Sequence, residues 1–221
     1  MQKIILPMLL VASFNATAFT VDSMFKVHKE KDNYLTIKNN SERPEFISTK
    51  LTRVDVVNGK VAETPFDPKE FMSWPIYTTP TNIIIDPHGA ERVSVVKLVK
   101  SNKNDVMLGI SLVPDAVSSF NNEVKVNLGY KVWYLIPGSE DMTGVLKGKM
   151  AGGSKISLTN DTNKHLTINI AWCDNEKSTC SASLFLLSGL TKTFDIPQKE
   201  KKTITVEYSD ALGKTKKTII I

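Results

Sequence analysis

Apolar and polar residues alternate over short stretches along most of this chain. A period of two is typical of strands that turn one face to a core, and helical periodicity is hard to find. The alternating stretches, separated by turn residues, cover residues 20–27, 34–37, 46–51, 83–85, 93–99, 105–115, 155–158, 166–173, 183–187, 192–196, 203–208 and 216–221. This spacing predicts an all-β chain that folds as two immunoglobulin-like β-sandwiches.

Two turns are marked by their residue types. Asn58-Gly59 is a strong hairpin signal, because both residues tolerate the positive φ that a tight two-residue turn requires. Between Asp86 and Gly89, Pro87 fixes φ at the second turn position, and we expect the glycine to close the turn. Residues 64–75 contain three prolines and are predicted to form a loop.

One predicted strand is unusually long. Its alternate residues are apolar, namely Val124, Val126, Leu128, Tyr130, Val132, Tyr134 and Ile136. Thirteen strand residues would span about 44 Å, whereas typical strands have about five or six residues. The opposite face is polar up to Lys131 and then carries Trp133 and Leu135, so only the second half is expected to be buried on both faces. The apolar stripe of the first half would be covered either by a partner or by the sandwich itself.

The first 18 residues are predicted to be a secretory signal peptide. Lys3 precedes an apolar run over residues 4–14, and Ala16-Thr17-Ala18 gives a small-residue cleavage site after Ala18. The run is too short to span a membrane and no later stretch reaches 18 apolar residues, so we expect a protein that is not embedded in a membrane. Cleavage would leave 203 of the 221 residues, enough for two domains. We place these at 19–138 and 139–221, divided at the turn-rich residues 139–143.

Charge and cysteine content narrow the choice of partners and compartment. The formal net charge is +5, but the lysines are spread along the chain, which argues against a nucleic-acid partner. Cys173 and Cys180 form a close pair in an exported chain, which predicts a disulfide. A redox pair usually has two intervening residues rather than six, and a metal site needs further ligands nearby.

The sequence carries no recognisable catalytic motif. It has no serine-hydrolase, zinc-protease, phosphate-loop or dinucleotide-binding fingerprint. Its three histidines, His28, His88 and His165, stand apart from any ligand or nucleophile motif, and His88 is expected to be exposed in its turn. We therefore expect a protein that is not an enzyme and that has no metal site and no cofactor.

The order of these elements resembles the periplasmic pilus chaperones of the PapD-like superfamily. The matching elements are Thr79-Pro80, Ile83-Ile84-Ile85, Asp86-Pro87-His88-Gly89, Arg92-Val93-Ser94-Val95, Ile110-Ser111-Leu112-Val113-Pro114 and the long strand that ends in Tyr134-Leu135-Ile136-Pro137. The stretch from Ala171 to Phe194, with its two cysteines, is similar to the second domain of the alternate-pathway, Ecp-like chaperones. The resemblance covers nearly the whole chain after residue 18, and it rests on order and spacing rather than on one motif.

The resemblance implies an L-shaped pair of immunoglobulin-like domains in the periplasm and a non-catalytic role. Such chaperones bind pilin or adhesin subunits by lending them a strand, a form of β-augmentation, and deliver them to an outer-membrane usher. On this basis Val124, Val126 and Leu128 are the expected donor side chains, with Tyr130 at the margin. This would answer the question of what covers the apolar stripe.

The resemblance also suggests a site for the subunit's terminal carboxylate. Classical members of the family use an arginine on the first strand and a lysine on the last, and a cationic pair suits a carboxylate through charge-assisted hydrogen bonds. Lys131 lies on the last strand here, but its register is ambiguous. The first strand has no arginine, and Lys26 is its nearest cation. This departure fits an alternate-type chaperone better than the classical type.

Two other functions remain open at this stage. A pilin or adhesin subunit would use the same strands and disulfide, but it should carry a free alternating N-terminal extension, which is not evident after Ala18. An immunoglobulin-like module that binds a carbohydrate or envelope component would need an aromatic platform, and none is obvious. Neither function accounts as well for the long strand before the domain break.

Overall fold

The computed structural model describes residues 19–98, 102–115, 128–173, 180–196 and 203–221. They form a chain of β-strands with one short 3₁₀ helix, Pro68–Ser73. The strands are β1 Thr20–Val21, β2 Phe25–Val27, β3 Tyr34–Lys38, β4 Glu45–Val57, β5 Lys60–Pro65, β6 Ile76–Thr79, β7 Asn82–Ile85, β8 Ala90–Lys97, β9 Val106–Pro114, β10 Tyr130–Ile136, β11 Leu146–Met150, β12 Lys155–Asn160, β13 Leu166–Ala171, β14 Ser181–Leu186, β15 Thr191–Asp195, β16 Thr205–Asp210 and β17 Lys216–Ile220.

The first sandwich contains β1 to β10. One sheet has the order β1-β3-β8-β6, and the other has the order β2-β10-β9-β4-β5, with β7 also paired to β4. The β2–β10 ladder is parallel, whereas β9 pairs antiparallel with both β10 and β4. Alternate apolar residues of both sheets fill one core, which includes Leu35, Ile37, Ile47, Val93, Val95, Leu108, Ile110, Leu112, Val132, Tyr134 and Ile136. The alternation in the sequence therefore corresponds to real strand faces.

The second sandwich contains β11 to β17. Its sheets have the orders β11-β12-β15 and β14-β13-β16-β17, and they enclose a second core. Cys173 and Cys180 form the predicted disulfide, with their Cα atoms 5.5 Å apart, and both are buried in this core. The expected domain break at residues 139–143 falls in the connection between β10 and β11.

The two predicted turns form, with one difference. Asn58 and Gly59 have φ angles of 52° and 72° and join β4 to β5 as a hairpin. In the second turn, Gly89 closes the loop by donating its N–H to the Asp86 carbonyl at 2.9 Å. The positive φ of 57° falls on His88, however, and not on the glycine. The His88 side chain is mostly exposed, as expected, and lies 3.1 Å from a Glu42 carboxylate oxygen.

The proline-rich stretch 64–75 is more regular than the predicted loop. Pro65 ends β5, and the 3₁₀ helix follows. Asp67 caps this helix by accepting a hydrogen bond from the Lys69 N–H at 2.9 Å. Pro68 fits the first turn because a helix leaves its first N–H groups without intrahelical partners, so a missing donor costs nothing there.

A third apolar cluster, here called the seam, joins the two sandwiches. Val54, Met107 and Leu135 of the first sandwich are buried against Leu187 of the second. These three residues lie on the outer face of their sheet, opposite the core of the first sandwich. The end of β10 nearest the second sandwich is therefore packed on both faces, as its sequence predicts.

A buried ion pair reinforces the seam. The Asp105 and Lys164 side chains are only 3% and 6% exposed, and Lys164 Nζ lies 3.2 Å from Asp105 Oδ1. Asp105 also accepts hydrogen bonds from the N–H groups of Gly138 and His165, at 2.8 and 2.9 Å. Lys164 donates to the Gly138 carbonyl at 2.8 Å. Both charges are thus hydrogen-bonded, which a buried ion pair needs in order to offset its desolvation.

The strand predicted over 124–136 needs a correction. Residues 124–127 lie outside the described part of the chain, while Leu128 and Gly129 are described and precede β10, which starts at Tyr130 and has seven residues. Tyr130 pairs with Leu112, so the next hydrogen-bonded pair, two residues further along, would set Leu128 opposite Pro114. Proline has no N–H to donate, and the ladder ends there for that reason.

Candidate functional site

The two edges of β10 differ in how much of their length is paired with a neighbouring strand. Along its full length it pairs with β9, but β2 pairs with it only from Trp133 to Leu135. On that second side, Trp133 donates its N–H to the Met24 carbonyl at 2.9 Å, and the Leu135 carbonyl accepts from the His28 N–H at 2.7 Å. β2 therefore covers only the second half of this strand edge.

The first half of the same edge is open within the described part of the chain. Alternate residues of a strand direct their N–H and C=O groups to the same side. Because Trp133 and Leu135 face β2, Lys131 directs its backbone groups to this edge too, where no described strand lies. An edge of this kind is a template for pairing with another chain.

Burial along the apolar stripe decreases toward this open end. Val132, Tyr134 and Ile136 are fully buried. Tyr130 is partly buried, and its ring packs edge-on against Phe19 with centroids 5.0 Å apart. Leu128 is 60% exposed. Of the four expected donor residues, Tyr130 and Leu128 are thus found at the open end, and Val124 and Val126 lie outside the described residues.

A small polar network fixes β2 against the buried half of β10. Tyr134 Oη lies 2.8 Å from His28 Nδ1 and donates to Asn33 Oδ1 at 3.2 Å. Burial raises the pKa of the Tyr134 hydroxyl, which therefore stays protonated. Burial also lowers the pKa of His28, and the nearby charge of Lys97 lowers it further. The covered end of the edge is therefore held by neutral hydrogen-bonding groups at neutral pH.

Lys131 lies flat across the outer face of the sheet. Its Nζ is 2.5 Å from Glu63 Oε2, and the same oxygen accepts a hydrogen bond from Thr52 Oγ1 at 3.2 Å. Gly109 of β9 makes room for this arrangement. A Cβ atom there would lie 2.5 Å from Thr52 Oγ1 and 3.5 Å from Lys131 Cδ.

Lys26 lies on the other face of the same sheet. It is in register with Tyr134, whose side chain enters the core, whereas Lys131 is one of the outward-facing residues of β10. The Lys26 ammonium donates to the Tyr34 carbonyl and lies 4.8 Å from the centroid of the Tyr34 ring. The structure therefore does not bring Lys131 and Lys26 together, and each has a partner within the chain.

Another cation shares the outer face of the sheet with Lys131. Lys131 is in register with Ser111 of β9, and Ser111 is in register with Lys50 of β4, so these residues form one row on the outer face. Lys50 is exposed. Lys50 does not stand out in the sequence, because a row across three strands is defined only once their register is known. One signal was present in the sequence: Ser48 and Lys50 alternate with the apolar residues Ile47 and Leu51, which indicates that Lys50 faces outward.

Other classes of site find little support in the described residues. Over that part of the chain, no group of three or more histidine, cysteine, aspartate or glutamate side chains could hold a metal ion. Nor does the described structure include a helix long and apolar enough to cross a membrane. The open edge of β10 and the Lys131 row are therefore the features with the clearest potential for binding.

Comparison with known proteins identifies the family to which this chain belongs. The model described as the CS5 fimbrial protein N-terminal domain matches residues 21–137, more than half of the chain. The chain belongs to this fimbrial protein family. An Escherichia coli relative described as an "uncharacterized 25.9 kDa protein in CS5 3'region" is 27% identical over 221 residues, which cover 99% of this chain and 98% of the relative.

Solved structures with a similar fold include several fimbrial chaperones. The class 5 fimbriae chaperone CfaA superposes with a TM-score of 0.58 at 14% identity, covering 92% of this chain and 97% of that one. A chain of the CsuC–CsuE chaperone–tip subunit complex of Acinetobacter baumannii gives 0.59 at 13% identity, with 93% and 98% covered. A chain of the Salmonella enterica SafA pilin–SafB chaperone complex gives 0.59 at 9% identity, with 95% and 99% covered. The predicted fold of two immunoglobulin-like sandwiches is thereby confirmed.

Proposed function

We propose that this protein is a periplasmic chaperone that binds fimbrial subunits by lending them the open edge of β10. The observation that carries the proposal is the half-covered edge. β2 pairs with β10 only from Trp133 onward, and the exposed Leu128 precedes the uncovered half. An unpaired edge next to an exposed apolar side chain is suited to β-augmentation, in which backbone pairing gives affinity and alternate side chains give specificity.

The comparisons support this choice among fimbrial functions. CfaA is described as a chaperone, and the Csu and Saf structures are complexes of a chaperone with a tip subunit or a pilin. Another similar structure is described as a periplasmic chaperone. By analogy, the partners of this chain are pilin or adhesin subunits, and an outer-membrane usher would receive them. The signal peptide would direct export and be cleaved after Ala18, and the pilin-binding domain would comprise residues 19–138.

The mechanism needs no catalytic group and no cofactor. An incomplete subunit exposes a sheet edge and part of its core, which invites aggregation. In the complex, Lys131 and its neighbours on the edge would supply backbone hydrogen bonds. Val124, Val126 and Leu128 would enter the subunit, and Tyr130, which packs against Phe19, would lie at the margin of the contact. Burial of each aliphatic side chain stabilises a complex by about 1.5–3 kcal/mol before the costs of association.

The alternative that the chain is itself a pilin or adhesin subunit draws support from the family description, which names a fimbrial protein. It requires an N-terminal segment that is free to complete a neighbouring subunit. Phe19 is instead 1% exposed in the first core, and Thr20 pairs with Lys38 in the β1–β3 ladder. The start of the described chain is thus occupied in its own sandwich, which favours the chaperone.

A periplasmic capture experiment tests the proposal. The protein carries a C-terminal tag and is expressed with the fimbrial subunits of its own strain, beside a Val126→Asp, Leu128→Asp double variant. The matched control is Ile220→Asp, because Ile220 is 72% exposed on β17 of the second sandwich. We expect a small subunit to copurify with the wild type and the control but not with the folded double variant. Equal recovery from all three proteins would rule out strand donation.

A further inference from the structure

A cavity of about 170 Å³ lies between the two sandwiches, beside the seam. The first sandwich lines it with the end of β4 and the start of β9, and the second lines it with His165, Leu187 and Ser188. An engineered cavity of about 150 Å³ in another protein is large enough to hold benzene. This space, here called the seam cavity, can therefore hold a small organic molecule, and domain interfaces are common places for such sites.

One part of the wall of the seam cavity is apolar. Val54, Met107 and Leu187 line it, and all three side chains are buried. They come from both sandwiches, so an apolar group in the cavity would contact both. Transfer of such a group from water to this wall is favourable.

The carboxylates of the wall already have partners. Asp105 accepts hydrogen bonds from the Lys164 ammonium and from two backbone N–H groups. Asp55 accepts a hydrogen bond from Arg53 Nε at 3.1 Å. Both negative charges are therefore balanced by cations of the chain, and the cavity can accept an anion.

A buried donor of the wall lacks an acceptor. His165 is 8% exposed, and burial lowers the pKa of its ring, which is therefore neutral at neutral pH. Because Nδ1 accepts the Ser188 N–H at 3.0 Å, the ring proton is on Nε2. Nε2 takes part in no hydrogen bond with another described residue. A buried donor without an acceptor costs free energy, which an acceptor inside the cavity would recover.

Arg53 brings a second set of donors to the same wall. Only its Nε contacts Asp55, and its two terminal nitrogens make no hydrogen bond with another described residue. The side chain is 60% exposed, so it borders the cavity on the side of the solvent. A guanidinium suits a carboxylate, because its parallel N–H groups match the two oxygens.

We propose that the seam cavity binds a small organic carboxylate. The carboxylate accepts hydrogen bonds from Arg53 and from His165 Nε2, and the apolar part of the ligand packs against the buried apolar wall. One ligand thus supplies an acceptor to both donors and fills the space between the sandwiches. Because it binds the folded protein and contacts both sandwiches, its occupancy stabilises the seam. This site lies apart from the open edge of β10 and goes beyond the proposed function.

The experiment is a titration of the full-length mature protein with small carboxylates, followed at the His165 ring. The protein is labelled with ¹⁵N-histidine, and the His165 signals are assigned by their loss in His165→Asn. Benzoate and 3-methylbutanoate combine a carboxylate with an apolar group that fits the cavity. Benzamide has the size of benzoate without its charge, and acetate has the charge without the apolar group.

Two variants test the role of the cation. Arg53→Gln removes the guanidinium, whose pair with Asp55 has side chains that are 60% and 44% exposed. Lys147→Gln is the matched control, because its pair with Asp161 lies on the second sandwich with exposures of 69% and 40%. Both variants lose one surface cation and one exposed ion pair, but only the first alters the cavity wall.

We expect benzoate or 3-methylbutanoate to shift the His165 signals with a midpoint on the order of 1 mM, as suits a ligand with so few heavy atoms. Arg53→Gln should raise this midpoint about ten-fold, because a charge-assisted hydrogen bond is lost, while Lys147→Gln should match the wild type. The ligand that binds should also raise the urea midpoint of the wild type more than acetate does at the same concentration.

Three results would overturn the inference. The first is the absence of a saturable change at His165 with either apolar carboxylate, which would mean that the cavity holds only water. The second is an equal response to benzoate, benzamide and acetate. The third is an equal midpoint in Arg53→Gln and Lys147→Gln. The titration contains no fimbrial subunit, so each of these results leaves the test of strand donation unaffected.

Discussion

The two ends of β10 share one apolar stripe but have different surroundings. From Trp133 to Leu135 the strand is paired on both sides, with one face in the first core and the other in the seam. At its start, Tyr130 and Lys131 are paired on one side, and the preceding Leu128 is 60% exposed. The comparison shows that neighbouring strands, not the alternation itself, decide whether an apolar stripe serves the fold or is available to a partner.

The largest expected effect on stability concerns the Asp105–Lys164 ion pair, which anchors the buried end of β10. We expect Asp105→Ala to lower the free energy of unfolding by about 3–5 kcal/mol, because it leaves Lys164 charged and buried without its partner. It also removes the acceptor for the Gly138 N–H just after β10. Urea unfolding followed by tryptophan fluorescence measures the change, on the assumption of two-state behaviour that coincident probes can check.

Lys147→Met is the matched control for a charge pair outside the seam. It removes the pair with Asp161, where the two side chains are 69% and 40% exposed. A loss below about 1 kcal/mol is expected there. If Asp105→Ala were no more costly than this control, the seam would not be what fixes the buried end of β10.

The next effect is a pH dependence of the seam. Burial lowers the pKa of His165; the Asp105 carboxylate opposes this shift, and the Lys164 ammonium adds to it. His165 Nδ1 accepts the Ser188 N–H at 3.0 Å, so the folded state favours the neutral ring. Because its folded-state pKa lies below the unfolded value of 6.5, stability is fully present above pH 6.5 and decreases as the pH falls toward and through the folded-state pKa.

Thermal or urea unfolding between pH 7.5 and 5 measures this dependence. The loss from His165 amounts to at most about 1.4 kcal/mol per pH unit within that window. His165→Asn keeps an oxygen that can accept the Ser188 N–H but cannot be charged, so its stability should fall less steeply with acidification. Parallel curves for the variant and the wild type would show that His165 does not contribute to the pH response.

The buried end of β10 was more predictable from the sequence than the open end. Trp133 and Leu135, on the face that is polar up to Lys131, predicted that this half of the strand is buried on both faces. Asn58-Gly59 and the two cysteines predicted a hairpin and a disulfide, and both are present. These features depend on local residue order. They required no knowledge of which strands become neighbours.

The open end depends on contacts between residues far apart in the chain. Glu63, the partner of Lys131, is 68 residues away, and the end of the ladder reflects Pro114 on another strand. The expected pairing of Lys131 with Lys26 overlooked that β2 and β10 run parallel, with Lys26 in register with inward-facing Tyr134. Register between strands, which the alternation leaves undetermined, explains each of these differences.

The smallest effect on stability is expected for Leu128→Ala, and its comparison with Leu135→Ala makes the same substitution in the two halves of the strand predicted over 124–136. Leu135→Ala removes a fully buried side chain from the seam and should cost about 2–5 kcal/mol. Leu128→Ala should stay within about 0.5 kcal/mol of the wild type, because Leu128 is 60% exposed and makes no core contact. Its effect should appear in subunit capture, where loss of an apolar donor weakens the complex. Urea unfolding and capture from the periplasm, run on both variants, separate the two roles. A Leu128→Ala protein that is clearly destabilised would mean that this end belongs to the fold after all, and that the strand is not divided between the molecule and its partner.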